Sequence, residues 1–146
     1  MQQAINRLDH LAILVKYENF GQYKQRFSDV LGIAWDEEVV NESAGVIAVP
    51  SWDSGLELIA PMQQSGRYWE RIEKFGEGTV TIVFGVANLD AAVARAEDHG
   101  APLRFNIELT GDEPWLNRFK LFREAKIDMF EEEFAATLTL SQIEPH

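Results

Sequence analysis

Two stretches of the chain carry nearly the same order of apolar and polar positions. Leu8-Asp9-His10-Leu11-Ala12-Ile13-Leu14-Val15 alternates and is rich in branched residues, as a half-buried strand is, and Gly78-Thr79-Val80-Thr81-Ile82-Val83-Phe84-Gly85-Val86 echoes it. With His10 set against Thr81, Leu11 falls on Ile82, Ala12 on Val83, Ile13 on Phe84 and Val15 on Val86. A helical pattern follows each copy. In the first, Phe20, Tyr23, Phe27, Val30 and Leu31 recur at steps of three and four until Gly32. In the second, Asn88-Leu89-Asp90 offers an N-cap, and a helix over 91–99 is stopped by Gly100. Such self-similarity predicts one supersecondary unit used twice, with the two copies burying their faces against each other and leaving a site between them.

After the first helix, short strands are predicted over 33–40, 46–49 and 56–60, with turns at 41–45 and 51–55 and stops at Pro50 and Pro61. The segment 66–78 reads as a connector with a short helix over 68–75, and its end, Gly76-Glu77-Gly78, is permissive backbone. In the second copy, strands are predicted over 103–107, 118–122 and 134–143, and Gly111 and Pro114 make 108–116 a loop. The stretch 124–133 reads either as a long hairpin connection or as a helical turn. Short strands in succession need antiparallel or mixed pairing, because parallel neighbours require long crossovers, and helices then pack on one side. The predicted fold class is therefore α+β, with two βαβββ modules forming a cupped mixed sheet and helices on its outer face. One domain is expected over 1–146, with modules at about 5–65 and 78–146 and the connector at 66–77. Leu11, Ile13, Leu58, Ile82, Phe84 and Leu140 should face the helices. His10, Glu57, Thr81 and Thr139 should face a shared hollow.

Length and charge narrow the function. A chain of 146 residues with 46% hydrophobic content is long enough for a substantial core. It has no apolar run of about 18 residues, and its start lacks the features of a signal peptide, so the cytoplasm is the expected location. Thirteen basic against twenty-four acidic side chains give a net charge of -11, which repels nucleic-acid phosphates and anionic lipid and sets both aside as partners. Cysteine is absent, which excludes disulfides, thiolate nucleophiles and Cys-ligated zinc. A metal would depend on His, Asp or Glu.

Among polar residues, His10 and Glu57 stand out as the pair for acid/base work. A lone histidine on a strand is commonly a hydrogen-bonded core residue, but Glu57 lies inside the apolar run 56–60, where a carboxylate is costly to bury without a partner. The hydroxyls of Thr81 and Thr139, with Thr137 and Ser141, read as a polar lining of the hollow or as an ordinary sheet face. Trp35, Trp52, Trp69 and Trp115 with Tyr68 are mostly core. Trp35 and Trp52 are the candidates for stacking on a ligand. Arg104, Arg118 and Lys120 are solvated strand residues or anion contacts, and Glu131-Glu132-Glu133 is a surface run.

The motifs Leu8-Asp9-His10-Leu11-Ala12, Asp29-Val30-Leu31-Gly32, Leu56-Glu57-Leu58-Ile59-Ala60-Pro61, Gly76-Glu77-Gly78 and Val86-Ala87-Asn88-Leu89-Asp90 resemble, in order and spacing, the vicinal oxygen chelate superfamily of glyoxalases, bleomycin-resistance proteins and extradiol dioxygenases. Within it the likeness is greatest to methylmalonyl-CoA epimerase-like members, and it covers most of 5–105. The resemblance implies a divalent metal held by one residue from the first and last strand of each module, positions that fall here on His10, Glu57, Thr81 and Thr139. In epimerase-like sequences the last two are histidine and glutamate. Threonine hydroxyls are poor ligands, and losing two ligands costs about 10⁴-fold or more in affinity. The expectation is thus a small-molecule enzyme acting beside a carbonyl, as isomerase, epimerase or lyase, with His10 and Glu57 as acid and base and no tightly held cofactor. Two alternatives remain open: a non-catalytic binder of the bleomycin-resistance type, and a metal enzyme in which substrate oxygens complete a site on His10 and Glu57. The resemblance also implies a homodimer.

Overall fold

The computed structural model of the protein describes residues 2–130, 133 and 136–146. Its elements are β1 (Arg7–Leu14), α1 (Tyr17–Leu31), β2 (Val39–Asn41), β3 (Val46–Ser51), β4 (Leu56–Pro61), α2 (Arg67–Phe75), β5 (Gly78–Gly85), α3 (Leu89–Asp98), β6 (Leu103–Ile107), β7 (Phe119–Ile127) and β8 (Thr137–Pro145). A 3₁₀ turn, Leu116–Arg118, leads into β7. All eight strands form one mixed sheet in the order β2-β3-β4-β1-β5-β8-β7-β6. Each βαβββ module contributes four neighbouring strands, and β1 pairs antiparallel with β5 along the seam.

The duplication reaches the register. Across the parallel β1–β4 pair, Leu11 faces Leu56 and Ala12 faces Glu57. Across β5–β8, Ile82 faces Leu138 and Val83 faces Thr139. With His10 aligned on Thr81, these are the same pairs, so Glu57 and Thr139 occupy equivalent places in the two halves.

Two helices cover the outer face. Helix α1 buries Phe20, with Tyr23 and Phe27, against Val15, Leu58 and Ala60, and it ends where Gly32, at φ 67°, donates its N–H to the Ser28 carbonyl. Helix α3, capped by the Asn88 side chain accepting from the Ala91 N–H, buries Leu89 and Ala92 against Ala125, Ile127 and Leu140. The connector helix α2 instead lies against the inner face, where Ile72 packs on Ala12, Leu14, Ile59 and Val80. At the other end of that face Trp115, Phe119 and Ile143 gather with Trp52 and Phe122. Between these apolar ends runs a polar stripe.

Several strands differ in extent from the pattern's prediction. Of the predicted 33–40 only 39–40 pair in the sheet, in a strand that runs one residue further, Val39–Asn41. The residues before it are held by side chains instead, with the Trp35 indole donating to the Lys24 carbonyl and the Asp36 carboxylate accepting from the Trp52 N–H. Strand β3 continues through Pro50 to Ser51. The largest difference is β7, which runs on to Ile127, so 124–127 is neither hairpin connection nor helical turn. Phe134, at the predicted start of the last strand, lies outside the described residues, as do Glu131 and Glu132. Glu133 pairs with Lys74 and lies 3.9 Å from Arg71.

Candidate active site

The inner face surrounds a cavity of about 570 Å³ that His10, Glu57, Thr81 and Thr139 help to line. These residues come from β1, β4, β5 and β8, adjacent strands at the centre of the sheet. His10 is 5% exposed, and its Nε2 lies 3.8 Å from the Glu57 carboxylate. Its other nitrogen, Nδ1, is 2.6 Å from Asp9 Oδ2. Consecutive strand residues normally point to opposite faces. Here the pairing of β1 with β5 slips between Leu8 and His10, and this irregularity at Asp9 brings its side chain onto the imidazole. Asp9 therefore fixes the ring so that Nε2 addresses the cavity.

The electrostatics separate the acid from the bases. Burial alone would pull the His10 pKa down, but the hydrogen bond to Asp9 and the charges of Glu124, Glu57 and Asp9 outweigh it and raise it to about 9. His10 is thus an imidazolium at neutral pH, a donor rather than an acceptor at Nε2. Burial pushes the Glu57 carboxyl above its ordinary value, with the His10 charge opposing. Glu124, on β7, is raised to about 7, chiefly by burial, with His10 lowering it and Glu57 raising it. Its Oε2 is buried without a hydrogen-bond partner. The charges of His10, Glu57 and Glu124 are thus coupled, and of the three it is Glu124 that titrates near neutrality.

The threonines pair with each other. Thr81 Oγ1 lies 2.8 Å from Thr139 Oγ1 and donates to the Thr137 carbonyl at 3.0 Å, so its proton is committed and Thr139 donates to it. Both hydroxyls are buried, Thr139 completely. A metal of the kind the resemblance implies does not fit this donor set: two of the four positions present neutral hydroxyls bonded to one another rather than anionic or imidazole ligands. Among the described residues no group of three His, Asp or Glu side chains is placed to hold an ion.

Of the two tryptophans, Trp52 lines the cavity and meets the His10 ring edge-on at 5.5 Å. Trp35 does not line it. The chain turns Trp35 to the outer face, against Phe27 and the α1 core, where its N–H is spent on Lys24. It is a structural anchor rather than a ligand contact. Arg104, Arg118 and Lys120 sit half-exposed or more beside Asp128, Asp36 and Glu144. The residues that pattern reading missed are Glu124 and Lys126, which lie opposite Ser141 and Thr139 across β7–β8. The signal was there, since Phe122, Glu124 and Lys126 alternate with Ala125 and Ile127, but charged inward positions disguise a strand.

The sequence profile of the Glyoxalase/Bleomycin resistance protein/Dioxygenase superfamily matches residues 9–112. The chain belongs to this superfamily. Solved structures reinforce the fold. A Streptomyces coelicolor methylmalonyl-CoA epimerase variant, in complex with 2-nitronate-propionyl-CoA, superposes with a TM-score of 0.72 at 20% identity, over 95% of this chain and 98% of that one. Methylmalonyl-CoA epimerase from Mycobacterium tuberculosis gives 0.69 at 21%, over 100% and 92%. A hypothetical protein of Bacillus halodurans C-125 gives 0.75 at 16%, over 96% of each chain. No curated protein matches the sequence. Among the described residues no helix is long and apolar enough to cross a membrane. This member of the superfamily brings His10, Glu57, Thr81 and Thr139 together on the inner face of its four central strands.

Proposed function

We propose that this glyoxalase-superfamily protein is an enzyme that moves a proton on carbon beside a carbonyl, as an isomerase, epimerase or lyase, without a tightly held metal. The observation that carries this reading is the convergence of the Asp9-fixed His10 with Glu57, 3.8 Å apart, in a cavity walled by aromatic rings. The imidazolium would donate from Nε2 to the carbonyl oxygen as enolate charge develops, while a carboxylate, Glu57 or Glu124, takes the proton from carbon. Thr81 and Thr139, whose hydroxyl protons are spent on the Thr137 carbonyl and on each other, would shape the floor, leaving the carbonyl to His10. Burial strengthens each of these interactions relative to water.

The test is proton exchange. Incubated in D₂O with a panel of acyl-CoA thioesters and 2-oxo acids, the protein should wash deuterium into the position beside the carbonyl of its substrate, read by NMR. His10→Gln and Glu57→Gln should each slow this by about 10²–10⁴-fold. Exchange unaffected by both variants sinks the reading.

One observation favours a second reading, ligand sequestration without chemistry. The rings of Trp52, Trp115, Phe122, Tyr68 and Phe105 line the cavity, as the walls of a box that holds a ligand's ring do. That reading predicts saturable binding that Trp52→Leu weakens and His10→Gln does not, with the ligand recovered unchanged.

A further inference from the structure

The inner end of β7 places an ammonium where a catalytic proton shuttle does not need one. Lys126 is only 9% exposed and lines the cavity. Its Nζ lies 5.7 Å from the centre of the Phe105 ring, and the Arg67 guanidinium lies 4.6 Å from the same ring. Arg67 also lines the cavity and lies over Tyr68. The neighbouring cations have carboxylate partners, Arg104 with Asp128 at 3.0 Å and Arg71 with Glu133 at 3.9 Å. No carboxylate among the described residues forms an ion pair with Lys126 or Arg67. In a chain of net charge -11, a buried cation left in this state is conspicuous, because burying an ammonium without a counter-charge is costly. Its cost is visible in the lysine itself, whose pKa burial and the charges of Arg67, Arg71 and Arg104 lower to about 8 against the smaller opposing pull of Glu124.

We infer that Lys126, assisted by Arg67, is an anion-binding subsite, and that the substrate is an apolar or aromatic carboxylic acid whose carboxylate docks there while its reacting carbon faces His10. A carboxylate suits the site better than a phosphate dianion, since one buried cation balances one charge and Glu57 and Glu124 line the same cavity. The rings of Phe105, Tyr68, Trp52, Trp115 and Phe122 along the wall suit an aromatic or branched body. Lys126 stands opposite Thr139 in the sheet register, so the positive charge lies beside the Thr81–Thr139 hydroxyl pair at the centre of the inner face. This substrate class rests on the same cavity being the reaction site.

The experiment compares phenylacetate, phenylacetamide and phenyl phosphate by calorimetry and by indole fluorescence. The native protein should bind the carboxylate about 10-fold or more tighter than the isosteric amide, and tighter than the phosphate. Lys126→Met and Lys126→Gln should abolish the preference, Lys126→Arg should keep part of it, and Lys120→Met, outside the cavity, should leave it intact. Equal binding of carboxylate and amide by the native protein overturns the inference whether or not the variants fold. So does a preference that survives loss of Lys126, tighter binding of the phosphate, or absence of carboxylate binding up to about 20 mM. The reaction assignment fails separately: a carboxylate preference with proton exchange indifferent to His10→Gln keeps the subsite and removes the chemistry. Exchange that needs His10 without any carboxylate preference does the reverse.

Discussion

Asp9 sets the charge state of His10. The imidazole sits among the carboxylates of Asp9, Glu57 and Glu124, and of these Asp9 makes the hydrogen bond. Asp9→Asn should therefore move the His10 titration, followed by NMR of the ring protons, down from about 9 toward the ordinary 6.5, and pull in the alkaline limb of kcat/KM with it. Glu124 makes an opposite kind of prediction, about stability. The folded protein holds its proton to about 7, whereas the unfolded chain releases it near 4.5. The native state thus binds more protons across that window, and stability falls as pH rises through it. Glu124→Gln should flatten this decline and raise the melting temperature at pH 8 by about 3 °C or more. A thermal melt that is unchanged at pH 8 and still falls from pH 4.5 to 7 would show that the carboxylate is well solvated.

Among the elements, β5 and β7 are instructive for different reasons. Strand β5 ends at Gly85, where the incoming N-terminal segment crosses so closely that a Cβ would stand 2.1 Å from the Ala4 carbonyl oxygen. The Asn6 N–H bonds to the Gly85 carbonyl at the same crossing. Gly85→Ala should cost about 1–3 kcal/mol by displacing this segment, measured as a lower midpoint in urea. Trp35→Phe should cost about 1 kcal/mol through the lost bond to Lys24 while leaving ligand affinity unchanged, because the ring is on the outer face. The alternation of apolar residues made β1, β4 and β5 legible in the sequence, since each puts hydrophobic side chains on the helix-covered face. Strand β7 was not legible to its end. Its inward positions are charged, and only a ligand-sized cavity makes charge acceptable there.

At the scale of the whole molecule, the site exists only because two halves share a sheet. His10, Glu57 and Trp52 come from the first module, and Thr81, Glu124, Lys126 and Thr139 from the second. Trp52 wedges between second-module rings, 4.9 Å from Trp115, 5.1 Å from Phe119 and 5.6 Å from Phe122. Halves locked by the β1–β5 seam and by this cluster should unfold together. Urea transitions followed by far-ultraviolet dichroism and by indole fluorescence are expected to coincide, and Trp52→Ala should shift both by the same amount, about 3 kcal/mol or more. Separated midpoints would show that the modules are independent folding units.

The order of strands and helices, the repetition of the unit and the shared inner face of His10, Glu57, Thr81 and Thr139 were determined by the sequence alone, because strand alternation and helical periodicity are local consequences of which residues must leave water. That threonines stand at two of the four positions where the resemblance implies metal ligands was equally plain. Tertiary structure decided the rest: that Asp9 clamps His10 through a break in strand register, that Trp35 turns outward while Trp52 turns in, and that Glu124 and Lys126 reach the cavity. Each of these depends on which strand lies beside which and on what is buried when they meet, and distant pairing leaves no periodic trace in a single chain.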